Sequence, residues 1–344
     1  MPSLKEIKGR INSISSTLAI TSAMKMVAAA KLQKAQMAIQ NMLPYERRLH
    51  SMLIDLMGAV NMSAPASEEG SARLVSLSNQ PDHTESEGAY SLMAQRQVHR
   101  VAIVAFASNS SLCGAFNSNA IREATAVINE YRASGLGDAD ITVYSVGRKM
   151  AEAMKKLGFP SPADFTKMSD SPSYDAASAL AQELFDGFVS GRFDKVELVY
   201  NHYKSTSSQP TTRQTYLPLS LADATADIQV GKITDSASES DTNRGAESVG
   251  APVVRQGSPT TEDLIVEPSK EELIVTLLPK VVRLRVFTTL LDSTAAEQAA
   301  RTVAMQLATD NGNDLLQELT LEYNKGRQQK ITSEILDIVG GSMQ

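Results

Sequence analysis

The chain has 344 residues, with 33 Lys and Arg against 39 Asp and Glu, a formal net charge of -6, so its overall charge offers no attraction to nucleic acid. A single cysteine, Cys113, excludes an internal disulfide, and four scattered histidines (His50, His83, His99, His202) make no Cys/His metal cluster. Hydrophobic residues are 42% of the chain but aromatics only 5%, with no Trp; no apolar run approaches the about 20 residues of a membrane-spanning helix, so the chain reads as soluble with an aliphatic, helix-packing core.

The first element is helical. Leu4, Ile7, Ile11, Ile14 and Leu18 alternate steps of three and four, the spacing that keeps one seam against a partner helix. The pattern continues through Met24, Val27, Leu32, Ala35, Ile39, Leu49, Leu53 and Leu56, giving one helix of about 80 Å within a segment 1–60. Pro44 is expected to kink or adjust it. Six basic residues against Glu6 in the first 34 have the look of a transit peptide, but the helical pattern runs past any cleavage point.

Residues 61–97 and 222–264 have loop composition. The first carries PASEEG and SNQPDHTESEG, and the second has many Ser, Thr, Gly and Pro and an excess of acids. Two apolar pieces in the second, IQVGKI and APVVRQ, could pair as a hairpin. Between these insertions, residues 98–221 alternate strands with helices: strand 98–106, helix 119–133, strand 141–147, helix 150–157, helix 174–190, then strands 195–204 and 211–219 as an edge hairpin. That order predicts an α/β domain with a mostly parallel sheet. The loop SNSSLCGAFNS after the first strand sits where a Rossmann fold keeps its phosphate loop. Its one Gly makes neither a G-x-G-x-x-G nor a P-loop, however, and Leu112 and Ala115 beside Cys113 supply no base to activate a thiol. No catalytic, cofactor-binding or metal residue is assigned.

Residues 265–344 are helical again from about Ser269. Leu315, Leu319, Ile331, Ile335 and Ile338 are expected on one face with Tyr323 alongside, Pro279 near the start, and Gly340–Gly341 as the stop. Helices of this length exceed the about 30 Å of a small domain, so they must project, and burying both seams against each other makes them an antiparallel pair. The fold expected is therefore α/β plus a long antiparallel coiled coil, with the central Rossmann-like α/β domain beside a two-helix shaft.

AMKMVAAAKL (23–32) within the first helix, SLCGAFN (111–117), and EQAARTVAMQLATDNGNDLL (297–316) with EYNKGRQQKITSEILDIVGG (322–341) resemble, in this order, the motifs of F-type ATP synthase gamma subunits. The resemblance is strong at both ends, moderate over the centre and absent from the insertions. It implies a non-catalytic central-stalk rotor of a proton- or sodium-translocating ATP synthase. The partners implied are three alpha and three beta subunits, an epsilon subunit and a membrane c-ring, on the cytoplasmic face of a bacterial plasma membrane. By the same resemblance, Met24, Lys25 and Met26, and Arg327, Gln328, Thr332 and Glu334, contact beta-subunit loops. Ile335, Leu336, Ile338 and Val339 form an apolar tip, and Glu267 and Lys270 lie on the c-ring side. Ala28, Ala29 and Ala30 would allow close passage of a neighbouring surface. Asn109, Ser110 and Ser111 replace the family's charged run, and Arg301-Thr302 its Arg-Met pair; no regulatory cysteine pair is present. The alternative reading is a non-catalytic coiled-coil scaffold.

Overall fold

A computed structural model describes residues 3–62, 92, 96–219, 267 and 269–342. The elements run α1 (Leu4–Met62), β1 (Val101–Phe106), α2 (Phe116–Ala133), β2 (Ile141–Val146), α3 (Arg148–Lys156), α4 (Thr166–Asp170), α5 (Tyr174–Val189), β3 (Lys195–Asn201), β4 (Thr211–Leu217) and α6 (Lys270–Ser342). Most of both loop-like insertions, including IQVGKI and APVVRQ, lies outside the described residues.

The two long helices begin with the same device. Ser3 Oγ accepts the Glu6 N–H at 3.3 Å and Ser269 Oγ accepts the Glu272 N–H at 3.1 Å, satisfying a backbone donor that the first turn leaves without a helical partner. The Ser-x-x-Glu spacing also puts a carboxylate at the positive end of each helix dipole. Both helices pass through a proline, Pro44 in α1 and Pro279 in α6, and neither ends there. The expected stop at Gly340–Gly341 does not hold: α6 is helical to Ser342. Its 73 residues span about 110 Å at 1.5 Å each.

The helices pair antiparallel. Leu4 lies opposite Gly326, Leu18 opposite Gly312, and Thr309 Oγ1 donates to Thr21 Oγ1 at 3.1 Å. Further along, Leu32 and Ala35 pack on Ala295 and Ala299, and Thr288 Oγ1 donates to Glu46 at 3.0 Å. The seam on α6 runs through Met305, Thr309, Gly312, Leu316, Leu319, Tyr323 and Gly326. Leu315, Ile331, Ile335 and Ile338, expected on this face, are 50%, 43%, 54% and 71% exposed. Leu315 stands one residue, about 100°, from the seam position Leu316. The isoleucines lie beyond Gly326, which is level with Leu4 at the start of α1. The twelve residues from Leu319 to Ile331 also turn the helix about 120° past whole turns, so the isoleucines do not continue the paired face.

The sheet has strand order β2-β1-β3-β4. β1 pairs parallel with β2 and β3, and β4 is antiparallel to β3 at the edge. Central β1, VAIVAF, is buried throughout, which is why it reads as an unbroken apolar run; Val98, His99 and Arg100, expected in the strand, precede it. Alternate residues face two cores. Val101, Ile103 and Ala105 meet Ala124, Val127 and Ile128 of α2 and Met150 and Met154 of α3. Ala102, Val104 and Phe106 face α5 and share one core with Leu278, Val282 and Val286 of α6 and Leu49 and Leu53 of α1. The α/β body is thus built directly onto the shaft. Gly147, at φ +96°, turns β2 into α3 where a side chain would strike the Ala107 carbonyl. Among the described residues, no helix is long and apolar enough to cross a membrane.

Candidate functional site

The loop after β1 folds back against α6. Leu112 takes φ +68° and Gly114 φ +59°, and this pair of left-handed residues drives Cys113 inward while leaving Leu112 59% exposed. Cys113 and Phe116 pack on Ala296. The thiol accepts from Asn117 Nδ2 at 3.2 Å, and Asn117 Oδ1 takes the Ser108 N–H at 3.0 Å. Cys113 is a packing residue whose neighbours are amides and hydroxyls. Asn109 closes the outer side of the loop: its Nδ2 donates to Thr166 O and its Oδ1 accepts the Arg148 N–H, both at 2.7 Å. The three residues that replace the family's charged run carry no charge themselves, and the guanidinium of Arg148 donates to Asn109 O at 2.7 Å.

Arg301 ties this loop to the shaft. Its guanidinium donates to Ser111 O at 2.6 Å, Ser110 Oγ at 2.8 Å and Glu297 Oε1 at 2.7 Å. Both side chains of the Glu297–Arg301 pair are 9% exposed. Burial pushes the Glu297 carboxyl above its ordinary range, with Asp170 adding to it and Arg301 and Lys31 opposing. One turn away, Ala295, Ala296 and Ala299 are fully buried and Ala28 is 1% exposed; small residues here let α1, α6 and the loop approach closely. Ala28 is thus a seam residue, while Ala29 and Ala30 face outward.

A second tie comes from the end of β3. Asp292 accepts the Tyr203 N–H at 2.9 Å and lies 2.6 Å from His202 Nδ1, and Gln36 Nε2 of α1 donates to Tyr203 Oη at 2.7 Å. Residues far apart in sequence, from α1, β3 and α6, therefore meet in one joint. Three of the motif stretches quoted above, 23–32, 111–117 and 297–316, converge beside it. On the opposite face of the sheet Glu197, its side chain 2% exposed, is bound by Tyr131, Lys195 and Arg213. Burial raises its carboxyl, but these hydrogen bonds outweigh it and hold Glu197 below its ordinary range.

The anticipated contact residues fall at three separate levels. Met24 and Lys25 are half-buried and Met26 is 65% exposed, close to the body. Arg327, Gln328, Thr332 and Glu334 are all exposed near the far end. Thr309, level with Thr21, lies about 27 Å short of Arg327 along the helix, so the two groups form separate patches. Gly326 is level with Leu4 at the start of α1, and α6 runs on beyond it. There Ile335 and Leu336 are 54% and 65% exposed, and Ile338 and Val339 are 71% and 50% exposed. Thr332 Oγ1 donates to Gln328 O at 2.9 Å, and Lys330 lies 3.7 Å from Glu334. Glu267 is exposed and Lys270 opens α6, at the end of the shaft opposite the apolar tip. Sequence reasoning missed the joint residues Gln36, His202, Asp292 and Glu297 and the notch glycines Gly312 and Gly326. A signal for Glu297 and Arg301 existed in the charged i, i+4 pair set within an alanine-rich stretch.

A family model described as ATP synthase matches residues 3–343. The ATP synthase gamma chain of Phocaeicola vulgatus is 49% identical over 343 residues, with 100% of each chain covered. That of Bacteroides thetaiotaomicron is 47% identical over 344 residues, again with 100% of each covered. In the cryo-EM structure of the Euglena gracilis mitochondrial ATP synthase OSCP/F1/c-ring, one chain has a TM-score of 0.54 at 20% identity, over 99% of this chain and 93% of that one. A chain of the rotor from the same organism has a TM-score of 0.51 at 19% identity, over 95% and 98%. At such identities the structural likeness speaks for the fold, and the sequence relatives speak for the family. On these matches, the chain belongs to the ATP synthase gamma-chain family.

Proposed function

We propose that this chain is the central-stalk rotor of a proton- or sodium-translocating F-type ATP synthase, carrying c-ring rotation into the ring of alpha and beta subunits. The observation behind this reading is the architecture: a two-helix shaft whose longer helix spans about 110 Å, fused through buried contacts to an α/β body near one end and ending in an exposed single helix at the other. A body joined through Arg301, Asp292 and a shared core can pass torque to both helices at once.

One copy of the chain stands inside three alpha and three beta subunits, with the body outside that ring, toward an epsilon subunit and the c-ring. Met24, Lys25 and Met26 meet the beta subunits at one level and Arg327, Gln328, Thr332 and Glu334 at another. The exposed stripe through Ile335, Leu336, Ile338 and Val339 turns in an apolar collar, and Glu267 and Lys270 face the c-ring. The chain itself performs no chemistry; the active sites lie on the beta subunits. Each face of the shaft favours a different conformation of the beta subunit it meets, and a bias of about 1.4 kcal/mol changes nucleotide affinity tenfold. The complex sits on the cytoplasmic face of a bacterial plasma membrane, with this chain held there through the c-ring.

Native mass spectrometry of the chain co-expressed with its own alpha and beta subunits, with ATPase assays alongside, tests this reading. One copy per six partner subunits, with full activity only in its presence, supports it. A chain that stays alone or forms a symmetric oligomer rules it out.

A further inference from the structure

The joint between sheet and shaft contains a histidine, the side chain whose ordinary charge change falls closest to neutral pH. His202 and Tyr203 follow directly on β3 and open the connection to β4. The His202 N–H donates to Pro210 O at 2.9 Å, closing that connection. Both residues are held by one carboxylate of α6: Asp292 Oδ2 lies 2.6 Å from His202 Nδ1, and Oδ1 accepts the Tyr203 N–H at 2.9 Å. Tyr203 then reaches α1 through Gln36 and packs beside Cys113 and Ala296. Asp292 thus ties the start of the β3–β4 connection to one shaft helix, while its neighbour Tyr203 bridges to the other; at the far strand of the hairpin, Tyr216 Oη donates to Val282 O of α6 at 2.9 Å.

We infer that His202 and Asp292 form a proton-operated latch, in which the protonated imidazole clamps the β3–β4 hairpin to α6 and its deprotonation loosens that clamp. A neutral imidazole with its proton on Nδ1 can still donate to the Asp292 carboxylate, but only the imidazolium adds the attraction between opposite charges to that hydrogen bond, so deprotonation weakens the tie without abolishing it. The charged groups acting on His202 are Asp292 from α6 and Lys204 from its own segment, while α1 brings the neutral Gln36 amide to the joint. The bond to Asp292 holds the imidazole above its ordinary value, against burial and Lys204. The contribution of a group raised in this way is complete below its unfolded value of about 6.5 and is lost as pH rises through the higher folded value. The latch is therefore closed on the acid side and weakens toward alkaline pH. Under the rotor reading, on which this consequence rests, it makes the stiffness of the body–shaft joint depend on the proton concentration around it.

Amide exchange at Tyr203 in the full-length chain, measured from about pH 5.5 to 8.5 across the histidine range, reads the latch directly. An NMR titration of the His202 imidazole accompanies it. After correction for intrinsic exchange, Tyr203 protection is expected to fall several-fold toward alkaline pH in the native chain, with His202 titrating above about 6.5. In His202→Gln, whose amide donates at every pH, the profile is flat. Asp292→Asn removes the group that raises His202 and leaves burial and Lys204 opposing its charge, so the His202 titration falls to its ordinary value or below; this variant serves if His202→Gln does not fold. A native profile that is already flat, the same slope in His202→Gln, or an unshifted His202 overturns the latch. No partner subunit is needed for this test, so its failure is separate from failure of the rotor reading, which the native mass measurement decides.

Discussion

Leu18 of α1 fills the notch that Gly312 leaves on α6: a Cβ at Gly312 would stand 2.6 Å from Leu18 Cδ2 and 3.2 Å from its Cγ. Two heptads along each helix, Leu4 meets Gly326 in the same way but less closely: a Cβ there would stand 3.2 Å from Leu4 Cδ2 and 4.0 Å from its Cγ. The two notches fix the axial register of an antiparallel pair that has few other unique contacts at this end.

The notches predict opposite outcomes for the same substitution. Gly312→Ala overpacks the seam at about 1–3 kcal/mol, more than the about 1 kcal/mol it gains in helix propensity, so it lowers Tm. Gly326→Ala is neutral or stabilising by up to about 1 kcal/mol, because the Leu4 methyl lies near a helix end and can move. Adding Leu18→Ala to Gly312→Ala costs less than Leu18→Ala alone. Thermal unfolding of the four variants measures this; equal stabilisation by both alanines would mean that Leu18 is not held in the notch.

Arg301→Ala removes the donor that joins Ser110 and Ser111 to the shaft and leaves Glu297 buried without its main partner. Uncompensated burial of a charge costs about 3–5 kcal/mol, seen as a lower urea midpoint near neutral pH. The Glu297 carboxyl already sits above its ordinary range, so protonation relieves the penalty and the variant recovers stability as pH falls. Adding Glu297→Gln should recover part of the loss at neutral pH. A variant that loses equally at every pH would place the cost elsewhere.

Glu197 gives the reverse sign. Its folded value lies below the ordinary one, so its contribution is present above the unfolded value of about 4.3 and is lost as pH falls through the folded value. Glu197→Gln is expected to destabilise by about 1.5–3 kcal/mol near neutral pH, the range for hydrogen bonds to a charged group, and to flatten the acid limb of a stability–pH curve. Urea titrations at neutral and acid pH check this, and an unchanged acid slope would contradict it.

The helices, the mostly parallel sheet and the edge hairpin were legible because period and burial coincide there. β1 is apolar throughout because both of its faces are covered, and the first helix shows its seam from Leu4 onward. The α6 seam was misread for a physical reason. Two of its positions are glycines, Gly312 and Gly326, which carry no hydrophobic signal, while the conspicuous isoleucines at 331, 335 and 338 belong to a different face. The short α4 held too few residues to show a period. The joint was invisible because Gln36, His202, Tyr203 and Asp292 meet only through tertiary packing, and nothing local marks a partner some ninety residues away.

The patch at Gln328, Thr332 and Glu334 is exposed and its bonds are local, so replacing all three with Ala should change the stability of the isolated chain by no more than about 0.5 kcal/mol per site. ATP turnover of the assembled complex, measured with assembly checked separately, is expected to fall. Unchanged turnover would remove these residues from the beta-subunit contact.

Rotation of the body against a fixed ring tests the central claim most directly. With the buried Cys113 replaced by Ser and a cysteine placed at Lys155 on α3, a bead can be attached to the body of the complex while its beta subunits are held on a surface. Continuous rotation in one direction on adding ATP is the predicted result. A body that stays fixed while ATP is hydrolysed at the normal rate would contradict the rotor account.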